Sequence, residues 1–178
     1  MKKDIVLCGV GGDGIVSVAK IISDAALNMG LNLKQSEIHG MSQRGGSVFS
    51  HLRLSSEPIF ADVIPEGQAD IILSSEPMEA LRYLPWLDKE GWVITNNEPF
   101  VNIKNYPDLE QVHGELKKLP HVVSFNANEI AKEVKARPNM VGGVETTQPQ
   151  EVAAAMARLL ESYHAKKCIT FEEIVDFH

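Results

Sequence analysis

The chain has 178 residues, 44% of them hydrophobic and 23% charged, a composition that excludes collagen-like, low-complexity and disulfide-scaffold proteins. Its length suits one domain that buries roughly 70% of the surface its unfolded form exposes. Seventeen Lys and Arg against 24 Asp and Glu leave a formal charge of -7. A broad basic surface for nucleic acid is therefore excluded, and the acid excess serves solubility.

Lys2, Lys3 and Asp4 precede an apolar run, Ile5 to Val10, too short for a signal-peptide core or a bilayer span, so a cytoplasmic protein without membrane contact is expected. Lys3 to Cys8 reads as a buried strand that runs into Gly9-Val10-Gly11-Gly12-Asp13-Gly14. Beyond it Ile15, Val18, Ala19, Ile22, Ala26 and Met29 recur at helical spacing. Gly30 stands where a helix C-cap glycine belongs, and Leu31 to Ser36 supplies a second strand. The first 36 residues thus predict a βαβ unit, and from it a parallel sheet. Ser47 to Leu54, Asp70 to Ser74, Trp92 to Thr95 and His121 to Phe125 are further strands, the middle ones separated by loop or short helix such as Met78 to Leu84. Asn126 with Glu129 makes a capping-box-like start for a helix through Lys135, and Gln150 to His164 has a long Ala/Leu/Met-rich helical pattern. Between them Pro138, Gly142, Gly143, Thr146, Thr147 and Pro149 break all periodicity. The expectation is a three-layer α/β fold, a mostly parallel sheet with helices on both faces and a Rossmann-like first βαβ unit. It is a single domain over 1–178, with 137–178 as an irregular connection plus a C-terminal helix and tail.

Metal chemistry is not encoded. Cys8 and Cys168 stand singly at opposite ends, with no Cys-x-x-Cys pair for zinc or an iron–sulfur cluster. Cys8 lies in a strand-like run and reads as a small buried hydrophobe rather than a nucleophile. Gly-x-Ser-x-Gly, P-loop and His-Glu-x-x-His patterns are all missing, so stand-alone hydrolase and kinase readings drop out.

Three places could carry chemistry. Gly9-x-Gly11-x-x-Gly14 satisfies the dinucleotide fingerprint between a strand and a helix, where backbone N–H groups and the helix N-terminus can approach a phosphate. Asp13 puts a carboxylate at the mouth of that turn, and the alternative is a tight turn whose glycines allow close packing. Glu37 lies at about the distance of a ribose-binding acid. The second place is His39-Gly40-Met41-Ser42-Gln43-Arg44-Gly45-Gly46-Ser47. No acid occurs from Ile38 to Ser56, whereas His39, Arg44, His51 and Arg53 do, so this stretch is cationic by sequence and could meet an anion. Arg44 beside Gly45-Gly46 offers a planar donor fork for phosphate or carboxylate; alternatively it binds carbonyls of its own loop. His39 and His51 read as packing or surface residues, since spacing implies no partner carboxylate. The third place is Ser74-Ser75-Glu76 at a strand's C-terminal end, where open α/β sheets bind ligands, although a serine and an acid there can equally cap a helix.

Taken together, Gly9 to Ile15, Ser36-Glu37-Ile38-His39-Gly40-Met41-Ser42-Gln43-Arg44-Gly45-Gly46-Ser47-Val48, Arg53, Glu57-Pro58-Ile59, Ile64-Pro65-Glu66-Gly67 and Asp70 to Pro77 carry a resemblance. The chain resembles the gamma subunit, or gamma-type domain, of the 2-oxoacid:ferredoxin oxidoreductases of the pyruvate/ketoisovalerate type. Its His-Gly-Met-Ser-Gln-Arg-Gly-Gly form is most similar to the beta subunit of indolepyruvate:ferredoxin oxidoreductase. The resemblance spans roughly residues 5 to 85 and thins after Asn97, with Asn139-Met140 as its one later feature. It departs at Asp13, where the family usually has glutamine, and in the C-terminal third.

The resemblance implies a non-thiamine subunit of a complex that oxidatively decarboxylates a 2-oxoacid to an acyl-coenzyme A and passes electrons to ferredoxin. It implies that thiamine diphosphate and iron–sulfur clusters reside in partner subunits, that coenzyme A belongs to the assembled complex, and that this chain alone binds no cofactor and is inactive. The residues expected at a cofactor or subunit interface are Gly9, Gly11, Gly12, Gly14, His39, Gly40, Met41, Ser42, Gln43, Arg44, Gly45, Gly46 and Glu76. Catalytic residues are not assigned, and a homodimer is open for the isolated chain. The competing reading is a free-standing nucleotide-binding or regulatory Rossmann-like module.

Overall fold

The computed structural model describes residues 1–39, 45–101 and 103–130, with the backbone alone at His39. The chain divides into a compact unit of Lys2–Phe125 and a second made of Met1 with Asn126–His178. In chain order the first unit comprises β1 (Lys2–Val10), α1 (Ile15–Asn28), β2 (Asn32–His39), β3 (Ser47–Ser55), β4 (Ala69–Ser74), α2 (Pro77–Arg82), β5 (Leu87–Asn96), α3 (Leu109–Leu116) and β6 (Val122–Phe125). Of the second, residues 127–130 are helical and Glu129 N–H donates to Asn126 Oδ1 at 2.9 Å, the cap expected there. The expected irregular stretch at 137–149 and helix at 150–164 lie outside the described residues.

Both ends of α1 follow the sequence. Ile15, Ala19, Ser23 and Ala26 form its buried stripe. After it Gly30 N–H bonds Leu27 O and Leu31 N–H bonds Ala26 O, each at 3.0 Å, the paired bonds of a Schellman ending.

The sheet order is β2-β3-β1-β4-β5-β6. β1, β4, β5 and β6 pair in parallel, while β3 is antiparallel to both β1 and β2. Five strands therefore share one direction and β3 opposes them. This corrects the βαβ expectation in one respect: β2 does return parallel to β1, but β3 lies between them. β3 follows β2 through a short connection, so it pairs back on β2, and its other edge takes a nine-residue register on β1 from Lys2↔Ser55 to Val10↔Ser47. β5 starts earlier than its apolar run suggests, because Asp88, Lys89 and Glu90 are exposed polar residues inside the strand.

Period-two alternation sorts the side chains into two faces. On one face Val6, Cys8, Ile72 and Val93 pack with Ala80 of α2, with Tyr83, and with Val112 and Leu116 of α3. On the other face Ile5, Leu7, Leu52, Leu54 and Ile71 are buried, and α1 packs over β1, β2 and β3. Helices thus cover both faces, which is the expected three-layer α/β arrangement. Each fully buried Leu or Ile contributes about 1.5–3 kcal/mol, and Leu7, Leu52 and Ile72 are at 0% exposure.

Candidate functional site

The turn between β1 and α1 is held on both sides. On one side a Cβ built on Gly9 would stand 2.0 Å from Ser75 Oγ, so the glycine lets the strand pass under the turn that follows β4 with the Ser75 hydroxyl in place. Ser75 N–H donates to Cys8 O at 3.0 Å, and Ser75 Oγ donates to Asp13 Oδ2 at 2.8 Å. On the other side Gly11 N–H donates to Gly46 O at 2.7 Å and Gly45 N–H to Gly11 O at 2.9 Å. Gly12 and Gly14 have φ of 113° and 80°, backbone that an L side chain rarely adopts. Gly14 is also the N-cap of α1, with no side-chain cap bond. The two glycine motifs that the sequence presents 30 residues apart are thus one structure, joined by reciprocal main-chain bonds.

Beside this junction lies a cleft of about 410 Å3 whose walls include Gly11, Gly12, Gly14, Val16, Glu37, Val48 and Ser50. Glu37 reaches it from β2, across β3, and accepts a bond from Gln35 Nε2 at 2.6 Å. Asp13 does not line the cleft; its carboxylate faces Ser75.

The other face of the junction is a buried polar cluster under α2. Glu76, at 0% exposure, caps α2: its Oε2 accepts Glu79 N–H at 2.8 Å and its Oε1 accepts the Tyr106 hydroxyl. Ser74 Oγ donates to Glu76 O at 2.6 Å. Burial pushes the Glu76 carboxyl above its ordinary range, against the lowering effect of its bonds from Tyr106 and from the Glu79 and Phe100 backbone. Glu79, also buried, accepts from Ser47 Oγ at 2.5 Å and from Arg82 Nε at 3.0 and 3.1 Å. The Tyr83 hydroxyl is 3.0 Å from the same Ser47 oxygen. Ser47 follows Gly45 and Gly46 directly, so the exit of the His39–Gly46 loop is anchored both to the glycine turn and, through Glu79, to α2. Beneath this cluster the Cys8 thiol donates to Glu79 O at 3.7 Å, and burial pushes its pKa up to about 12, which makes it inert as a nucleophile.

The cationic stretch read from sequence does not become a cationic surface as a whole. Arg53 turns inward and forms a bidentate pair with Asp4 (Nε to Oδ1 2.8 Å, Nη2 to Oδ2 3.0 Å). Its Nη1 donates to the Ala61 and Val63 carbonyls at 3.1 and 3.2 Å. His51 is 1% exposed, accepts Ile64 N–H on Nδ1 at 3.4 Å and packs edge-on against Phe49. Burial, and after it the Arg53 charge, holds its imidazole below its ordinary pKa; it is the packing residue expected. His39 pairs through its backbone with Val48, while Gly40, Met41, Ser42, Gln43 and Arg44 lie outside the described residues.

The structure therefore brings Gly9, Gly11, Gly12, Gly14, Gly45 and Gly46 together and places Glu76 beneath them as a helix cap rather than in the cleft. Sequence reasoning missed Asp4, Glu79, Tyr83 and Tyr106. An acid inside an apolar strand was the available signal for Asp4, and an acid three residues after Glu76 the signal for Glu79; nothing local marked the tyrosines.

Residues 4–168 match the family described as pyruvate ferredoxin/flavodoxin oxidoreductase. The chain belongs to this family. Among its relatives, the indolepyruvate oxidoreductase subunit IorB of Archaeoglobus fulgidus is 43% identical over 139 residues, covering 74% of this chain and 68% of the relative. The common gamma subunit of the pyruvate/ketoisovalerate oxidoreductases of Pyrococcus furiosus is 30% identical over 132 residues, 73% and 67% of the two chains. The higher identity to the indolepyruvate relative agrees with the form of the His39–Gly46 loop. Pyruvate oxidoreductase subunit PORC of Thermotoga maritima superposes with a TM-score of 0.54 at 18% identity, covering 98% of this chain and 89% of that one, and so shares the fold. Within the family fold, the junction of the two glycine motifs sits at the C-terminal edge of the parallel strands β1 and β4, the edge at which open α/β sheets place ligands.

Proposed function

We propose that this chain is the non-thiamine, gamma-type subunit of a multisubunit 2-oxoacid:ferredoxin oxidoreductase, which converts a 2-oxoacid and coenzyme A to acyl-coenzyme A and carbon dioxide while reducing ferredoxin. The observation that carries it is the 43% identity to an indolepyruvate oxidoreductase subunit across 74% of the chain. The single gamma-type domain over 1–178 belongs to the same proposal, supported by a family match that runs across the boundary at residue 126.

The proposal gives thiamine diphosphate and the iron–sulfur clusters to partner subunits. A cluster needs about four thiolates, and the cysteine among the described residues, Cys8, is buried with its thiol protonated; it does not fit as a ligand. This chain's part is to present the glycine turn and the loop from His39 to Gly46, with Arg44 as an anion or partner-carboxylate clamp, to coenzyme A or to a partner. Glu76 serves by capping α2, which holds Glu79 under Ser47 at the loop's exit. A cytoplasmic location is part of the reading. No helix among the described residues is long and apolar enough to cross a membrane.

The test is reconstitution with thiamine-bearing and ferredoxin-type subunits. Turnover of a 2-oxoacid that depends on coenzyme A and on this chain is expected, with none from the chain alone. In that complex Arg44→Lys should cost roughly 2–3 kcal/mol, since a point charge does not reproduce a bidentate fork, and the melting temperature of the chain should hold. Turnover by the isolated chain would overturn the reading. So would a micromolar Kd for a nicotinamide or flavin dinucleotide, worth about -8 kcal/mol, which would favour a free-standing nucleotide-binding module.

A further inference from the structure

The connection between β3 and β4, residues 56–68, carries Phe60 at 93% exposure and Val63 at 52%. A bare phenylalanine is common on a loose loop, but this segment is fixed from below. Arg53, buried and neutralised by Asp4, donates to the carbonyls of Ala61 and Val63, the residues that bracket Asp62 and follow Phe60. Ile64 is fully buried and its N–H is held by His51 Nδ1. The backbone from Ala61 to Ile64 is thus tied at three points to β3, and the aromatic ring is held out in water. Ordering a contact residue before association removes part of the entropy that binding otherwise costs, and a pre-set aromatic ring is the usual centre of an interface.

The charge around the ring selects its occupant. Residues 56–68 include Glu57, Asp62 and Glu66 and no Lys or Arg; Lys34 of β2 reaches Asp62 at 3.1 Å. A two-fold contact between copies of this chain would set these acids against themselves. We propose that Phe60 and Val63 form a pre-set apolar knob that docks into a partner subunit, in a pocket with apolar walls and a rim of Lys or Arg. This deepens the complex-subunit reading above and rests on it. The knob lies at the N-terminal edge of the parallel strands, away from the glycine junction, so it serves assembly rather than the chemistry.

The experiment titrates the thiamine-bearing subunit of the complex with wild-type chain, Phe60→Ala, Phe60→Trp and Phe60→Asp, at low and high salt, and records the melting temperature of each chain alone. Wild type should bind, more weakly at high salt because the rim is charged. Phe60→Ala should raise Kd about 10- to 100-fold and Phe60→Asp further, Phe60→Trp should stay near wild type, and all four melting temperatures should agree. Unchanged binding by Phe60→Ala and Phe60→Asp would overturn the knob while leaving the complex reading intact. Failure of the wild-type chain to bind the thiamine-bearing subunit would overturn both. A lower melting temperature for isolated Phe60→Ala would show the ring covered by its own chain, and a wild-type homodimer split by Phe60→Asp would show it covered by a second copy; either result overturns the proposal.

Discussion

Replacing Gly9 by alanine separates a packing role from a ligand role for the glycine turn. The backbone at Gly9 is of a kind that an L residue adopts, but the new Cβ meets Ser75 Oγ at 2.0 Å and Ile15 Cδ1 at 3.0 Å, where ordinary contact begins at 3.4 Å. The Ile15 terminus can give a few tenths of an ångström. The Ser75 hydroxyl cannot yield without leaving Asp13, 2.8 Å away. Overpacking costs about 1–3 kcal/mol, and the lost hydrogen bond about 0.5–1.5 kcal/mol. Restricting the unfolded chain returns about 0.4–1 kcal/mol, so Gly9→Ala should lose about 2 kcal/mol, between limits of about 0.5 and about 4 kcal/mol. Ser75→Ala alone should lose only the hydrogen bond, about 0.5–1.5 kcal/mol. In the double variant the obstructing oxygen is gone, and its stability should lie close to that of Ser75→Ala, so the coupling should be about as large as the Gly9→Ala loss itself, about 2 kcal/mol. Urea unfolding of the chain reads all three as shifts in midpoint at constant slope. Additive losses in the double variant would show that Ser75 is not what excludes a side chain at position 9.

Arg53→Met leaves Asp4 buried beside the exposed Lys2 ammonium, 2.9 Å away, and strips the Ala61 and Val63 carbonyls of their donor; a loss of about 3–5 kcal/mol is expected, read as a fall in denaturant midpoint, and a loss below about 1 kcal/mol would refute the buried-pair account. Glu76 has a folded pKa raised from 4.5, so the native state holds its proton longer than the unfolded chain does, and stability falls as pH rises from about 4.5 through the raised value. Glu76→Gln should remove that part of the slope in a pH series of unfolding midpoints, and parallel curves for the two proteins would contradict it. Cys8, with its thiol pKa near 12, should resist a thiol reagent in the folded chain and react after denaturation; peptide-level labelling detects this, and modification of Cys8 under native conditions would mean that the cluster under α2 opens.

What the sequence by itself determined is what depends on neighbours in the chain. The strand, glycine turn and helix of residues 2–28, the Gly30 ending and the Asn126 cap follow from periodicity and from backbone conformations that few residues tolerate. The family was legible too, because its glycine and His-Gly-Met-Ser-Gln-Arg-Gly-Gly motifs are long runs of consecutive residues. Strand order was not. An alternating strand carries the same pattern whichever strand lies beside it, so the placing of β3 between β1 and β2 is decided by the antiparallel return after β2 and the nine-residue fit of β3 on β1. With that order undecided, no reading of the sequence could join Arg53 to Asp4 across 49 positions, Ser75 to Asp13 across 62, or Ser47 to Glu79 across 32. Of the residues that make the stretch cationic in one dimension, Arg53 becomes half of an internal ion pair and His51 a packed ring in three, because a charge is satisfied by whatever the folded chain brings within hydrogen-bond distance.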